Sequence, residues 1–279
     1  MASRFARESL LAVLSALYAA NARADEKPLW EAGLGIGALS FPDYRGSDQT
    51  HFYPVPVPYL VYRGDFLKAD RNGIRGEFFN RPYVELNLSV NATVPVDSND
   101  DRARRGMPNL RPTVEIGPSV DFHLWHSSDE RLKIGAVLPL RLPVTVQSSP
   151  QSIGWNFTPR LNLDIQDIAG RAGWNFGVGA GPLFAARKYN QYFYSVDPQY
   201  VTVDRPAYDA KGGYSGTQFI SALSKRFPKF WVGAYLRYDA LQGAVFEDSP
   251  LVKQKYYIAG GVGIAWMIRE SARTVEAED

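Results

Sequence analysis

The chain has 279 residues, a formal net charge of +2 and no cysteine. The near-neutral balance gives no reason to expect a nucleic-acid partner, and basic residues cluster only in the short run 102-RARR-105. Without cysteine there is no disulfide framework and no thiol chemistry. No apolar run reaches the ~18 residues that a membrane-spanning helix needs.

The first 24 residues have the layout of a secretory signal peptide. Arg4 and Arg7 supply a basic start, residues 9–20 read SLLAVLSALYAA, and Ala22-Arg23-Ala24 offers a small-x-small cleavage site. The alternative is an amphipathic N-terminal helix of the mature domain. The all-round apolar run and the spacing of the site favour a signal peptide over 1–24 and an exported chain.

Most of the remaining sequence alternates between apolar and polar residues, as in 82-PYVELNLSVNATV-94. This period of two predicts β-strands with one apolar and one polar face. The pattern predicts about twelve strands, with 10–14 possible: 30–39, 53–62, 66–71, 74–80, 82–94, 112–125, 131–146, 154–167, 172–184, 214–226, 230–241 and 256–268.

The connections between these strands alternate between long polar segments and short turns, and Asn72-Gly73 is a strong hairpin signal. Long outer loops and short inner turns are typical of an up-and-down transmembrane barrel. A soluble β-sandwich is the alternative, but the sequence offers no second apolar layer to cover so many apolar faces. We therefore expect an all-β antiparallel barrel over 25–268 in the outer membrane, followed by a charged tail over 269–279.

In such a barrel the apolar faces meet lipid and the polar faces meet the lumen. The charged residues expected to face the lumen carry both signs, so they can pair and plug it or line a pore, and the sequence leaves both open. They are Glu31, Glu85, Glu115, Lys133, Arg141, Arg160 and Asp164.

Pro54, Pro56 and Pro58 alternate with Val55 and Val57 in the second predicted strand. Because proline has no N–H, three prolines at period two remove donors along a single edge. This predicts a weakly paired edge, where the wall opens sideways or accepts a partner strand. The alternative places the prolines above the membrane in an outer loop.

The sequence contains little that indicates catalysis. Ser119, Asp121 and His123 share a predicted face, but their spacing of ~6.5–7 Å along the strand is too long for direct hydrogen bonds, so a polar lumen row is expected. Ser47 and His51 are the candidates for a lipid hydrolase, a remote alternative. Residues 97–101, DSNDD, read as a solvated loop rather than a Ca²⁺ site. We therefore predict no catalytic residues, metal or cofactor.

Several segments, taken together in their order along the chain, resemble the MltA-interacting protein (MipA/OmpV) family of Gram-negative outer membranes. They are 43-DYRGSDQ-49, 54-PVPVPYLVYRGDFLKADRNGIRG-76, 105-RGMPNLRPTVEIGPSV-120, 159-PRLNLDI-165, 194-YSVDPQYVTVDRPAYDAKGGYSG-216 and 247-EDSPLVKQKYYIAGGVGIAW-266. The motif residues singled out within these segments are Asp43, Tyr44, Gly46, Ser47, Pro54, Pro56, Pro58, Gly106, Met107 and Pro108.

The resemblance implies a non-enzymatic scaffold for peptidoglycan remodelling, with outer-membrane lipid, a lytic transglycosylase and a peptidoglycan synthase as partners. A small-solute channel or a surface adhesion protein is the alternative. The chain departs from the usual barrel ending, because 269-RESARTVEAED-279 follows the last aromatic strand residue, Trp266.

Overall fold

The structure, a computed structural model, describes residues 26–63, 67–70, 73–81 and 83–276. The predicted signal peptide and Asn72 lie outside these residues. Across the described ranges no helix is long and apolar enough to cross a membrane. The strands are β1 (Glu26–Pro28), β2 (Trp30–Pro42), β3 (Thr50–Arg63), β4 (Leu67–Asp70), β5 (Gly73–Arg81), β6 (Val84–Ala92), β7 (Thr113–His126), β8 (Leu132–Thr145), β9 (Asn156–Phe157), β10 (Arg160–Ile165), β11 (Trp174–Ala185), β12 (Gly213–Arg226), β13 (Phe230–Ala240), β14 (Tyr256–Glu270) and β15 (Thr274–Glu276).

Strands β2 to β14 form one antiparallel sheet that closes on itself. Apart from β9 and β10, each strand pairs with the next along the chain, and β14 returns to pair with β2. The short β9 and the longer β10 occupy one place in the wall, because both lie between β8 and β11. The sheet is therefore a barrel with twelve strand positions, and the predicted up-and-down barrel is confirmed.

The alternating sequence pattern sets which side chains face outward. In β6, Leu88 and Val90 are 36% and 50% exposed, whereas Glu85 and Asn87 are 8% and 3% exposed. The outward residues form the apolar surface that meets lipid, and the inward residues line a polar lumen. The opposite environments of neighbouring residues explain why the chain alternates at a period of two.

The two ends of the described chain meet beside the barrel. β1 pairs with β15 in a separate two-stranded ribbon, and Leu29 N–H donates to the Arg273 carbonyl at 2.8 Å. The last barrel strand runs to Glu270, two residues past the predicted end. Part of the predicted tail therefore lies in this ribbon, which we call the terminal ribbon.

β3 pairs with its two neighbours very unequally. It pairs with β2 over its whole length, from Thr50 to Tyr62, but with β4 only at Tyr62 and Arg63. Pro54, Pro56 and Pro58 lie opposite Ala38, Ile36 and Leu34 in the middle of β2. Among the described residues the prolines thus pair on one edge only and sit within the wall. The predicted open edge is confirmed, and the alternative that places them in an outer loop is wrong.

The long connections fold into a compact structure over one mouth of the barrel. We call residues 43–49, 93–112, 186–212 and 241–255 the outer cap, because long loops lie on the outer side of such barrels. Each of the four segments contributes to one hydrophobic core: Tyr44, Val96, Ala103, Met107, Leu110, Tyr194, Val196, Ala210, Leu241, Ala244, Phe246 and Leu251.

Candidate functional site: the capped lumen

A short helix, Arg187–Tyr194, holds the outer cap against the lumen. Tyr189 Oη donates to Glu115 Oε1 at 3.2 Å, and Asn190 Nδ2 donates to Ser215 Oγ at 3.1 Å. Glu115 belongs to β7 and Ser215 to β12, so the helix bridges widely separated wall strands. This helix therefore lies across the outer mouth of the barrel.

The centre of the cap is an aromatic stack. The rings of Tyr194 and Phe246 lie 3.7 Å apart at an angle of 8°, and Phe246 has no exposed surface. Tyr44 packs edge-on against Tyr194, and its hydroxyl donates to the Leu251 carbonyl at 2.8 Å. Burial raises the pKa of the Tyr44 hydroxyl well above its usual range.

Two buried arginines bind the cap segments together through backbone carbonyls. Arg104 donates to the carbonyls of Phe193 and Pro108 and to Ser98 Oγ. Arg205 donates to the carbonyls of Tyr200, Ala103 and Arg105. Burial lowers the pKa of Arg104. The forked guanidinium suits this role because its five N–H donors reach several acceptors at once.

The family-motif residues of the first connection are structural parts of the cap. The Gly46 carbonyl accepts from the amides of Lys253 and Gln254 at 2.7 and 3.1 Å, and Gly46 has φ +97°, which only glycine adopts readily. Ser47 is fully buried, and its hydroxyl donates to Asp101 Oδ2 at 3.0 Å.

Asp43 is the most perturbed acid of the cap. Its Oδ1 lies 3.0 Å from His51 Nε2, while its Oδ2 is buried with no hydrogen-bond partner in the described residues. Burial raises the pKa of Asp43 to about 6, opposed by His51 and reinforced by the nearby Asp101 carboxylate. Asp43 therefore changes charge near pH 6.

The motif at 106–108 closes the second long connection. Gly106 has φ +81°, Met107 is 8% exposed within the cap core, and the Pro108 carbonyl accepts from Ser98 Oγ at 2.8 Å. Apart from the three prolines of β3, the predicted motif residues all lie in the cap.

A buried ion cluster forms around Glu31 at the inner end of the lumen. This carboxylate is 1% exposed and accepts from Arg63 Nη2 at 2.9 Å and from Arg226 Nη2 at 2.6 Å. Tyr59 Oη lies 3.4 Å from the same group. We call this cluster the inner clasp, because Arg226 on β12 and Arg63 on β3 meet at β2.

The charged side chains in the middle of the lumen, Glu115 and Arg141, hydrogen-bond to neutral side chains. Glu115 accepts from Asn91 and Asn156 at 3.1 and 2.9 Å. Arg141 donates to Ser89 Oγ at 2.9 Å and to Thr158 Oγ1 at 3.2 Å. Glu115 and Arg141 are thus hydrogen-bonded to neutral groups, and these contacts do not neutralise the charge of either side chain.

Arg160 adds a second positive group at this level. It lies beside Gln218, whose side-chain oxygen accepts from Arg237 Nε and Nη2 at 2.8 Å in the orientation that satisfies the amide, and Arg160 Nε is buried without a hydrogen-bond partner among the described residues. Arg141, Arg237 and Asp121 all act on it electrostatically. Arg237 is paired with Asp239 at 2.7 Å, whereas Arg141 donates to neutral oxygens and Arg160 has no carboxylate within ion-pair distance among the described residues.

Three further predicted lumen residues lie toward the inner turns. Lys133 Nζ lies 3.3 Å from Glu130 Oε2, and Asp164 is opposite Lys133 in the β8–β10 pairing. Glu85 Oε2 lies 3.8 Å from His123 Nε2.

The spacing argument for Ser119 and Asp121 is wrong. Ser119 Oγ donates to Asp121 Oδ1 at 2.6 Å, because side chains on one strand face lean along the strand and shorten the gap. His123 turns to Glu85 instead, so the three residues form no catalytic relay.

The described residues also hold no serine hydrolase geometry in the cap. Ser47 donates to Asp101 and His51 contacts Asp43, so the proposed nucleophile and base have different partners. No group of three or more potential metal ligands occurs in the described part of the chain. Asp101, the last residue of the DSNDD run, is occupied by Ser47 Oγ and the Arg104 amide.

Sequence reasoning missed the loop helix, Arg104 and Arg205. The run 102-RARR-105 was interpretable as an ordinary basic patch, and nothing in its composition distinguishes the buried Arg104 from its exposed neighbours. The aromatic run 192-YFY-194 was the available signal, since three adjacent aromatics in a polar loop imply a local core.

The closed antiparallel sheet, its apolar outer surface and its polar lumen define a transmembrane β-barrel of the outer membrane. The chain belongs to the MltA-interacting protein MipA family, whose model matches residues 34–268.

Two relatives are outer-membrane proteins of Vibrio species. The chain is 22% identical to outer membrane protein OmpV of Vibrio cholerae serotype O1 over 237 residues, covering 83% of this chain and 84% of OmpV. It is equally identical, over the same shares, to outer membrane protein Omp26La of Vibrio anguillarum. Among solved structures, a bacterial polysaccharide outer membrane secretin covers 86% of this chain and 99% of its own, with 9% identity and a TM-score of 0.40.

Proposed function

We propose that this barrel is a non-enzymatic scaffold that holds a lytic transglycosylase and a peptidoglycan synthase at the inner face of the outer membrane. The family description, MltA-interacting protein, supports the first partner. The observation that carries the proposal is the outer cap, because a folded core across the mouth of a barrel suits an anchor better than an open pore.

The inner end supports the same conclusion. The inner clasp ties β12 to β2 and β3 across the two intervening strands through Glu31, and breaking a buried ion pair is strongly unfavourable. The outer cap and the inner clasp thus place ordered groups at both ends of the described lumen. A small-solute channel is therefore the less favoured function.

The inner turns and the terminal ribbon are the surface we assign to the partner. The turn residues Asp129 and Asp167 both lie 3.8 Å from the Arg131 guanidinium, and all three are more than 30% exposed. The mixed charges of this face suit a polar, reversible interface rather than a permanent one.

Two measurements on the full chain test the proposal. In the first, the purified protein captures a lytic transglycosylase, and Arg131→Glu weakens that capture. Arg187→Glu, which changes an exposed arginine on the outer cap, serves as the matched control and leaves capture unchanged.

The second measurement is conductance in planar bilayers, where the scaffold assignment predicts no steady current. Steady single-channel currents without capture of a cell-wall enzyme would reverse the assignment in favour of the channel. Equal loss of capture in both arginine variants would remove the inner face as the docking surface.

A further inference from the structure

The barrel wall contains a gap between β3 and β6. The hairpin β4–β5 stands between them, but its last pair is Asp70 with Gly73, and the register of β3 with β4 places Asp70 opposite Val61. The pairing of β5 with β6 ends at Glu77 and Asn87. Beyond these points no described residue pairs with the facing edges of β3 and β6.

The orientation of the backbone groups on β3 follows from its register. Arg63 N–H donates to the Leu29 carbonyl on the β2 side, so the odd-numbered residues bond to β2 and the even-numbered ones face the gap. Pro54, Pro56 and Pro58 are even-numbered. The prolines therefore remove the three N–H groups that would otherwise be orphaned at membrane depth, where an unsatisfied donor costs several kcal/mol.

A proline edge of this kind disfavours a partner strand. Strand addition uses both N–H and C=O groups of the accepting edge, and this edge offers carbonyls alone over residues 54–58. The same prolines make an unpaired edge tolerable. The proline edge therefore favours a gap that stays unpaired over one that another strand fills.

The edge of β6 has the opposite character. His123 N–H donates to the Tyr83 carbonyl and Thr93 N–H to the Thr113 carbonyl, so the odd-numbered residues bond to β7. The N–H and C=O groups of Leu88, Val90 and Ala92 therefore point into the gap. They need water or polar ligand atoms there.

The outer side of the gap is bridged by the cap. Gln49 Nε2 donates to the Asp100 carbonyl at 2.8 Å, and the Arg102 amide donates to Gln49 Oε1 at 2.7 Å. Ser47 and Asp101 are joined a few residues away. With the short hairpin on the inner side, the gap is framed all round, and we call it the lateral window.

The two sides of the lateral window differ in polarity on the lumen face. On β3 the inward residues are Val55, Val57 and Tyr59, and Val57 packs toward Gly37 and Gly263. On β6 the inward Ser89 accepts from the Arg141 guanidinium at 2.9 Å. One side is therefore apolar and glycine-lined, and the other carries a positive charge bonded only to neutral oxygens.

The geometry points to a binding site for an anionic single-chain amphiphile that enters the lumen from the membrane through the lateral window. Its chain would lie along Val55 and Val57, and its head group would meet Arg141 and Arg160. Glu115 acts electrostatically on Arg141 and Asp121 on Arg160, and both carboxylates accept hydrogen bonds from neutral donors. This inference is independent of the proposed scaffold role.

Amide exchange tests the lateral window in the full chain embedded in lipid nanodiscs. The amides of Leu88 and Val90 should exchange at least tenfold faster than those of Ser89 and Asn91, which bond to β7. Val120 and Asp121 of β7 serve as the control, because β7 pairs with a strand on each side there and the exchange rates of these two amides should not alternate. Uniform protection along β6 would overturn the window.

A fluorescent label at Val57→Cys tests the ligand, since the chain has no other cysteine. Palmitate added to the nanodiscs should give a saturable response there, and none at Val178→Cys on the lipid-facing side of β11. Hexadecanol, with the same chain length and no charge, should bind at least tenfold more weakly.

Head-group recognition is tested by charge variants. Arg141→Gln should weaken palmitate binding at least tenfold, Arg141→Lys should retain most of it, and Arg187→Gln on the cap should leave it unchanged. A non-saturable response at both labels, or equal binding by Arg141→Gln and Arg187→Gln, would refute the amphiphile site.

Discussion

Replacing Phe246 with alanine should open the outer cap while leaving the barrel wall intact. The ring is fully buried, stacks on Tyr194 at 3.7 Å, and belongs to a core made only of connecting segments. Removing a buried phenylalanine side chain costs about 3–5 kcal/mol where the surroundings cannot collapse. The wall strands keep their hydrogen-bonded pairs, so the loss falls on the cap.

Hydrogen–deuterium exchange read by mass spectrometry measures this effect. A loss of about 3 kcal/mol corresponds to roughly a hundredfold faster exchange through local opening, since each 1.36 kcal/mol is a factor of ten. The faster exchange should appear in peptides from 93–112, 186–212 and 241–255. Peptides from β7 and β8 should exchange as in the parent protein.

Val203→Ala is the matched control, because Val203 lies in the same connection as Tyr194 but is fully exposed. This variant should not change exchange in the cap. Unchanged cap protection in Phe246→Ala would show that the stack does not hold the cap, and equal loss in the wall strands would show that cap and barrel are one cooperative unit.

Three further outcomes follow from single side chains. Gly46→Ala should loosen the cap more than Gly106→Ala in the same exchange assay, because both have positive φ but a Cβ at Gly46 also lies 3.2 Å from Val252. Burial raises the pKa of Asp43 from 3.8 to about 6, so the stability that its protonated form gives the cap is full below pH 3.8 and is lost as pH rises through 6. The amides of the parent cap should therefore exchange more slowly at pH 5 than at pH 7.5, once intrinsic exchange rates are corrected for pH. Asp43→Asn should remove that difference. Glu31→Gln should lower the urea midpoint of the barrel, because it leaves two guanidiniums of the inner clasp without a counter-charge, whereas the exposed Glu270→Gln should not.

The barrel was predictable because most wall strands follow the same two-sided rule, although the faces of 214–226 and 230–241 are mixed in the sequence. Lipid on one side and a polar lumen on the other impose a period of two, and hydrogen-bonded neighbours impose antiparallel order. The predicted strand 112–125 is observed as Thr113–His126, and 131–146 as Leu132–Thr145. The break between β9 and β10 at residues 158 and 159 was not predicted, since it interrupts the pairing without interrupting the apolar row.

The outer cap was not predictable from periodicity, because its core is assembled from residues far apart in the chain. Tyr44 and Leu251, joined by a hydrogen bond, are separated by 207 positions. Loops carry no repeating pattern that marks which side chains are buried. The family resemblance singled out Tyr44 and Met107 without a physical reason, and their place in one common core required coordinates.

The three prolines allowed a prediction that the hydrophobic pattern of β3 does not give, namely which edge of the strand lacks hydrogen-bond donors. Proline chemistry alone predicts which edge lacks donors, and the register of β3 with β2 places that edge toward the short hairpin. A closed barrel normally has no free edge, because each unpaired donor is costly in lipid. Here three of the donors on the facing edge of β3 are absent, at Pro54, Pro56 and Pro58, while those of Leu88, Val90 and Ala92 on β6 point into the gap. The proline edge therefore lowers the cost of leaving β3 unpaired at this place in the wall.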